Sequence, residues 1–211
     1  MKKIMFNDRY CLTKAVMEGR KTMTRRIIKA PRTMEGKDVY GFSVVSYRNG
    51  EVVEVMAVDE EGATINNILP KYKVGEVVAV AQRYKDIRDI IGDIQDGKSI
   101  KSMDGWNNKM FVRADIMPHH IRITNIRVER LQDISDEECL KEGIYKDEPR
   151  PGFCFNGYAF DLSQDQYGNI LAAEWFKTPR LAFAALINRI SGKGTWESNP
   201  WVYVYEFELV K

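Results

Sequence analysis

Apolar residues recur along this chain with two spacings, and the places where one gives way to the other mark its elements. Tyr10, Leu12, Ala15 and Val16 share one face of a short helix predicted from Asp8 to Glu18, and Gly19 follows as a residue suited to end it in the left-handed conformation. From Lys37 to Val58 apolar and polar positions alternate on both sides of Arg48-Asn49-Gly50, and because Asn-Gly is the strongest short hairpin signal, a β-hairpin is expected there. Pro70 and the turn Lys73-Val74-Gly75 lead into residues Glu76 to Ala81, a nearly continuous β-type run that reads as a central barrel strand. Ile121, Ile123, Ile126 and Val128 keep a period of two that slips once between 123 and 126, as a bulge or bend would make it. Ser135 and Glu138 have the spacing of a capping box for a helix from about 136 to 142, closed by Gly143. Thr178 and Pro179 suit the start of a helix through Leu181, Ala184, Ala185, Leu186 and Ile190, stopped by Gly192. Alternation returns in Trp201 to Val210, the closing strand.

Separate strands with short helices between them, in place of alternating βαβ units, indicate an α+β fold or a decorated β-barrel. No repeat and no Ser/Gly/Pro-rich linker divides the chain, so one domain spanning 1–211 is expected. Residues 92–108 are polar and glycine-punctuated and read as a long loop, of the kind that is usually functional or disordered.

Composition narrows the setting. With 44% hydrophobic and 29% charged residues the chain has the make-up of an ordinary globular protein able to bury a core. The start, Met-Lys-Lys-Ile, reaches polar Asn7 and Asp8 before a signal-peptide core has formed, and no apolar run approaches the roughly 20 residues that cross a bilayer. Cys11, Cys139 and Cys154 show no CxxC spacing, which argues against a disulfide framework and a zinc site and for a reducing, cytoplasmic location. The net charge is only +2, yet residues 1–37 hold eleven Lys or Arg and three acids. Such polarity suits a surface facing phosphates, or simply a solvated basic face.

The densest chemistry lies in Gly19-Arg20-Lys21-Thr22-Met23-Thr24-Arg25-Arg26, two threonine hydroxyls among four cations just past a helix end. Crowding by like charge makes a lysine easier to deprotonate. A neutral Lys21 can then act as base toward the Thr24 hydroxyl, the activated-nucleophile arrangement of acyl transfer; a basic exposed strand is the plainer alternative. Lys21 and Thr24 are three apart and point to opposite faces of a regular strand, so they converge only where the backbone turns. Glu142 stands at the negative end of its helix, where a carboxylate gains nothing from the dipole, and a residue placed against local preference suggests a functional role. His119 and His120 lack metal-ligand spacing, so no metal and no cofactor are assigned. Trp106 either stacks on a base or plugs the barrel end, and Trp196 and Trp201 suit core positions.

These segments together resemble the ASCH family of the PUA-like superfamily, particularly its longer phage and prophage members. Gly19 to Arg26 is similar to the family's G-x-K-T-x-T-x-R signature, and Val74-Gly75-Glu76-Val77-Val78 to its turn into a strand. Residues 121–144 resemble its strand followed by a short helix ending in Glu-Gly, and residues 196–208 its long-form closing strand. Residues 92–108 and 145–177 stand as insertions relative to compact members, and His119 occupies the place where long-form relatives carry an arginine. The resemblance implies a PUA-like β-barrel decorated with helices and loops. It also implies a cleft for RNA or a modified nucleoside, with Arg20, Arg25, Arg26, Trp106, His119 and Arg122 as ligand contacts. Compact members that hydrolyse N4-acetylcytidine use a lysine, a threonine and a glutamate, which fall by motif position on Lys21, Thr24 and Glu142.

Three readings are therefore carried forward. One is a module binding RNA or a nucleoside, another an amidohydrolase of N4-acetylcytidine-type nucleosides, and the third a non-catalytic phage accessory protein. A common cavity lined by Lys21, Thr24 and Glu142 favours the first two.

Overall fold

The computed structural model describes residues 1–46, 52–148, 157–160, 162–164, 170–172 and 174–210. Its longer elements, with the first short strand, are β1 (Lys3–Ile4), α1 (Leu12–Met17), β2 (Met23–Ile27), β3 (Gly41–Ser46), β4 (Val52–Val58), β5 (Thr64–Asn67), β6 (Val77–Val80), β7 (His120–Arg130), α2 (Asp136–Lys141), α3 (Pro179–Ser191) and β8 (Trp201–Val210). The architecture is α+β. A five-stranded mixed sheet runs in the order β1-β6-β7-β8-β2, with β1 parallel to β6 and every other neighbour antiparallel. A second, antiparallel sheet of β3, β4 and β5 packs on it through β4 and β7.

The short-range patterns act as their physics requires. β6 is internal to the main sheet, and Val78, Ala79 and Val80 are fully buried, as a continuous apolar run demands. In β7 the register against β8 shifts between Ile123 and Asn125, which keeps Ile121 and Ile123 in the core while the strand continues to Arg130. β3 and β4 pair from Gly41–Val58 to Ser46–Val52, and the Arg48-Asn49-Gly50 turn expected between them lies outside the described residues.

One boundary differs from expectation. α1 begins at Leu12 and not at Asp8, because Cys11 sits in the left-handed region at φ 55°, which a continuous helix cannot contain. Its other end is as expected, with Gly19 left-handed at φ +71°. α3 buries Ala182, Phe183, Leu186 and Ile187, while Leu181 and Ile190 lean toward solvent. Residues 92–108 are not shapeless either. Ile100 joins Tyr84, Ile87, Val112 and Met117 in a satellite core, against which half-buried Trp106 packs.

The outer strands of the main sheet are β1 and β2. Among the described residues no backbone ladder joins them, so hydrogen bonding does not close this sheet into a barrel. One side chain does bridge the gap: Arg26 Nη2 donates to the Met5 carbonyl, just past β1, at 2.7 Å. Among the described residues no helix is long and apolar enough to cross a membrane.

Candidate functional site

The seam between those two sheet edges holds the main cavity. It encloses about 780 Å3, within the roughly 300–1,000 Å3 usual for small-ligand sites. Met5, Phe6, Asn7 and Asp8 continue from β1 along one side, Lys21 and Thr24 to Ile27 border the other, and Glu142 enters from the end of α2. Phe183, Leu186, Ile187 and Ile190 of α3 form an apolar wall. β2 is an edge strand, and its unpaired side lets residues of both its faces border one space. That resolves the spacing of Lys21 and Thr24. Lys21 itself lies before the strand, where its amide donates to the Ala15 carbonyl and that of Thr22 to the Lys141 carbonyl, both at 2.9 Å, tying the segment to α1 and α2.

Lys21 is 2% exposed and Glu142 4%. The amine donates to Glu142 Oε2 at 2.6 Å and to the Glu142 carbonyl at 2.7 Å. A cation is thus supplied to the carbonyl end of α2, and the carboxylate that the helix dipole disfavours gains its partner from the same amine. Just beyond, Gly143 has φ +100°, and a Cβ there would meet Leu12 Cδ2 at 3.2 Å, so the chain leaves the helix close against α1 and Lys21. The amine also lies 5.8 Å from the centre of the Phe6 ring. Burial pushes the Lys21 pKa below the ordinary lysine value, against the pull of Glu142 and with help from Arg26 and Arg25.

Glu142 is held from its other oxygen by Arg25, whose Nη1 donates to Oε1 at 3.2 Å. Arg25 Nη2 reaches Glu129 Oε1 and Glu138 Oε2, each at 2.6 Å. Burial works against the Arg25 charge, but Glu142, Glu129 and Glu138 outweigh it and hold the guanidinium above its ordinary pKa. Arg127 adds a further layer through Glu129, Glu138 and Glu206. Arg25 therefore works as a clamp on carboxylates, with a side chain only 1% exposed.

Thr24 is buried at the cavity wall, and among the described residues its hydroxyl has no hydrogen-bond partner. Of the other residues expected to meet a ligand, Arg26 is exposed and lines the cavity. Arg20, Trp106, His119 and Arg122 do not line it. Arg20 pairs with Glu18, and exposed Arg122 lies 3.4 Å from Glu208. His119 Nδ1 lies 2.6 Å from Gln82 Oε1, with its pKa lowered by burial and by neighbouring His120. Lys109 was not anticipated. The 92–118 segment brings it to the cavity, where its amine meets the Phe6 carbonyl and, at 2.8 Å, Asp8 Oδ1. Among the described residues no group of three or more His, Cys, Asp or Glu is placed to hold a metal ion.

The cavity thus has one apolar wall, one cationic wall, a buried amine–carboxylate pair and an unpartnered hydroxyl. No protein-family model, no curated protein and no solved structure matches the chain.

Proposed function

We propose that this cavity binds a nucleoside-type ligand, and that the chain is an ASCH-like, PUA-like protein whose curled sheet carries the ligand at its seam. The observation that carries the reading is the convergence of Lys21, Thr24 and Glu142 on one 780 Å3 cavity, from positions up to 121 apart in the chain. A flat aromatic body suits the wall of Phe183, Leu186 and Ile187, while Arg26 and Lys29 give the β2 side a positive character toward ribose and phosphate oxygens. The meeting of sheet edges at Met5 and Arg26 supports a barrel-like curl.

A thermal-shift series with cytidine, N4-acetylcytidine and adenosine tests the reading. A ligand that binds the folded state at a hundred times its Kd adds about 2.7 kcal/mol of apparent stability. No shift with any nucleoside at millimolar concentration rejects it.

The unpartnered Thr24 hydroxyl favours a second, catalytic reading of the same site. Thr24 Oγ1 attacks an acyl carbonyl carbon and its proton passes to Lys21 Nζ. The C–N bond then breaks as the departing amine nitrogen takes a proton by way of Glu142, and water cleaves the resulting threonyl ester to release the acid. The depressed pKa of Lys21 and the short Lys21–Glu142 contact both suit a proton held between two groups. Acetate release from N4-acetylcytidine is expected, with loss of turnover in Thr24→Val; equal turnover in that variant removes Thr24 as nucleophile.

A further inference from the structure

A second hollow lies beside the main cavity, lined on one side by the end of β2 and on the other by the 68–72 segment. It encloses about 350 Å3. Tyr72, Tyr203 and Tyr205 back it, but they are only 3%, 8% and 1% exposed. Their hydroxyls are engaged with the Lys3 carbonyl, the Ile68 carbonyl and the Lys71 amide, and the amines of Lys2 and Lys71 already lie 5.9 and 5.4 Å from the centre of the Tyr72 ring. These rings therefore offer no face on which an aromatic ligand could stack. The surface left open is aliphatic. Leu69 is 74% exposed and Met5 38%, and half-buried Ile27 and Ile68 line the hollow with them. A single exposed leucine is ordinary, but one that borders a concave, aliphatic space can be covered together with a side chain that enters it.

The charge around this space has one sign. Arg26, Lys29 and Lys71 line the hollow, all exposed, and no acidic residue lines it. Among the described residues none of the three makes an ion pair with a carboxylate; the Arg26 guanidinium donates to the Met5 carbonyl at 2.7 Å, which leaves its charge uncompensated. Arg25, one position away, is the contrast, since three glutamates take up its charge. Register separates the two arginines: Arg26 pairs with Tyr203 and Arg25 with Val204, so they leave β2 on opposite faces. The field of Lys71 also reaches Lys3, whose pKa burial and Lys71 together push below the ordinary lysine value.

We propose that this hollow docks an acidic segment of a partner protein, one aliphatic side chain of which enters beside Leu69 while carboxylates on either side of it meet Arg26, Lys29 and Lys71. Charge complementarity names the acids, and the aliphatic lining names the side chain. A nucleic acid meets the same cations but finds no aromatic face to hold its bases. The proposal is independent of what the main cavity binds.

Fluorescence anisotropy of the whole protein with labelled peptides Asp-Glu-X-Glu-Asp, X being Leu, Ile, Met or Ser, tests it, with Asn-Gln-Leu-Gln-Asn and pentauridylate in parallel. The aliphatic acidic peptides are expected to bind about tenfold more tightly than the Ser peptide, the effect of covering one such side chain. Their affinity should fall as KCl is raised, because the cations are exposed and salt screens them. Lys71→Ala is expected to weaken them about two- to fivefold, the worth of one exposed ion pair. Leu69→Ser should erase most of the difference between the Leu and Ser peptides. Both residues are exposed, so neither variant disturbs the core. Equal affinity for all four acidic peptides overturns the proposal, as does binding that neither variant changes, or no binding at millimolar peptide. Pentauridylate bound more tightly than every acidic peptide, and weakened by Lys71→Ala, also overturns it, because the cations then serve a nucleic acid.

Discussion

Lys21 has no water to solvate its charge and depends on the two oxygens that Glu142 presents to it. Removing one member of a buried pair leaves the other uncompensated, which typically costs about 3–5 kcal/mol. Lys21→Ala still leaves Glu142 with Arg25 at 3.2 Å, so a loss somewhat below that range is expected in urea unfolding, and Lys21→Met combined with Glu142→Leu should regain a large part of it, since Arg25 keeps Glu129 and Glu138. A double variant as unstable as the single one would show that the pair's cost lies in packing and not in charge. Thr24→Val should change stability by less than about 1 kcal/mol, because no hydrogen bond among the described residues is lost with its hydroxyl. Cys139 is a third case: burial, with Asp136 and Glu142 adding to it against Arg25 and Arg180, pushes its thiol up to about 12, so it should resist alkylation at neutral pH until the protein unfolds. At this scale the family resemblance singled out Lys21, Thr24 and Glu142, and the structure places all three on one cavity. Arg25, expected as a ligand contact, does line the cavity, but its charge is taken up by three glutamates from β7 and α2, more than a hundred positions on, which the sequence alone does not show.

α2 shows what an element's local signals do and do not convey. The capping box is present in full: Ser135 accepts from the Glu138 amide at 3.2 Å and Glu138 accepts from the Ser135 amide at 3.2 Å. Sequence spacing was enough to read this, because both partners lie within one turn. It did not show that the Glu138 carboxylate also takes Arg25 and Arg127, which lie on β2 and β7. Burial raises the Glu138 pKa, but the Ser135 amide and the two arginines outweigh it and hold the carboxyl below its ordinary value. The two halves of the box should therefore differ in weight. Ser135→Ala is expected to cost about 0.5–2 kcal/mol, the usual value of an N-cap. Glu138→Ala should cost more, since it loses the cap and unbalances Arg25 next to the site. Chemical denaturation of both variants checks this, and equal losses would mean that the arginines find new partners. The long polar segment failed in the opposite direction. Residues 92–108 carry few local signals, yet Ile100 and Trp106 pack on Tyr84 and Val112 into a satellite core that no short window of sequence reveals.

At the scale of the molecule, the 68–72 segment ties the sheets together through tyrosine hydroxyls. Tyr203 of β8 donates to the Ile68 carbonyl, Tyr72 donates to the Lys3 carbonyl of β1, and Tyr205 of β8 accepts from the Lys71 amide. Alternation in Trp201 to Val210 made the closing strand legible, but these bonds span more than sixty residues and depend on how the sheet curls, which periodicity does not encode. Their ionisation should govern alkaline stability. Burial raises both Tyr72 and Tyr203 from 10 to about 12, with the charge or dipole of Tyr205 adding to each. A raised folded-state value means that the native protein holds these protons more tightly than the unfolded chain, so the stabilisation is complete below pH 10 and is lost as pH climbs toward 12. Lys21 has the opposite sign. Its folded value lies below 10.5, so its contribution grows with pH and is complete by about that point, leaving the tyrosines and the Cys139 thiol, also raised to about 12, to act above it. Urea midpoints should therefore fall between pH 10 and 12, and fall less steeply in Tyr72→Phe and Tyr203→Phe, which keep the rings but carry no titrating hydroxyl. Each ionised hydroxyl also ceases to donate to its carbonyl, so the 68–72 segment should lose amide protection in hydrogen exchange before the central strands β6 and β7 do. Flat midpoints across that range, or tyrosinate absorbance already complete near pH 10, would show that these hydroxyls are not what fastens the segment to the main sheet.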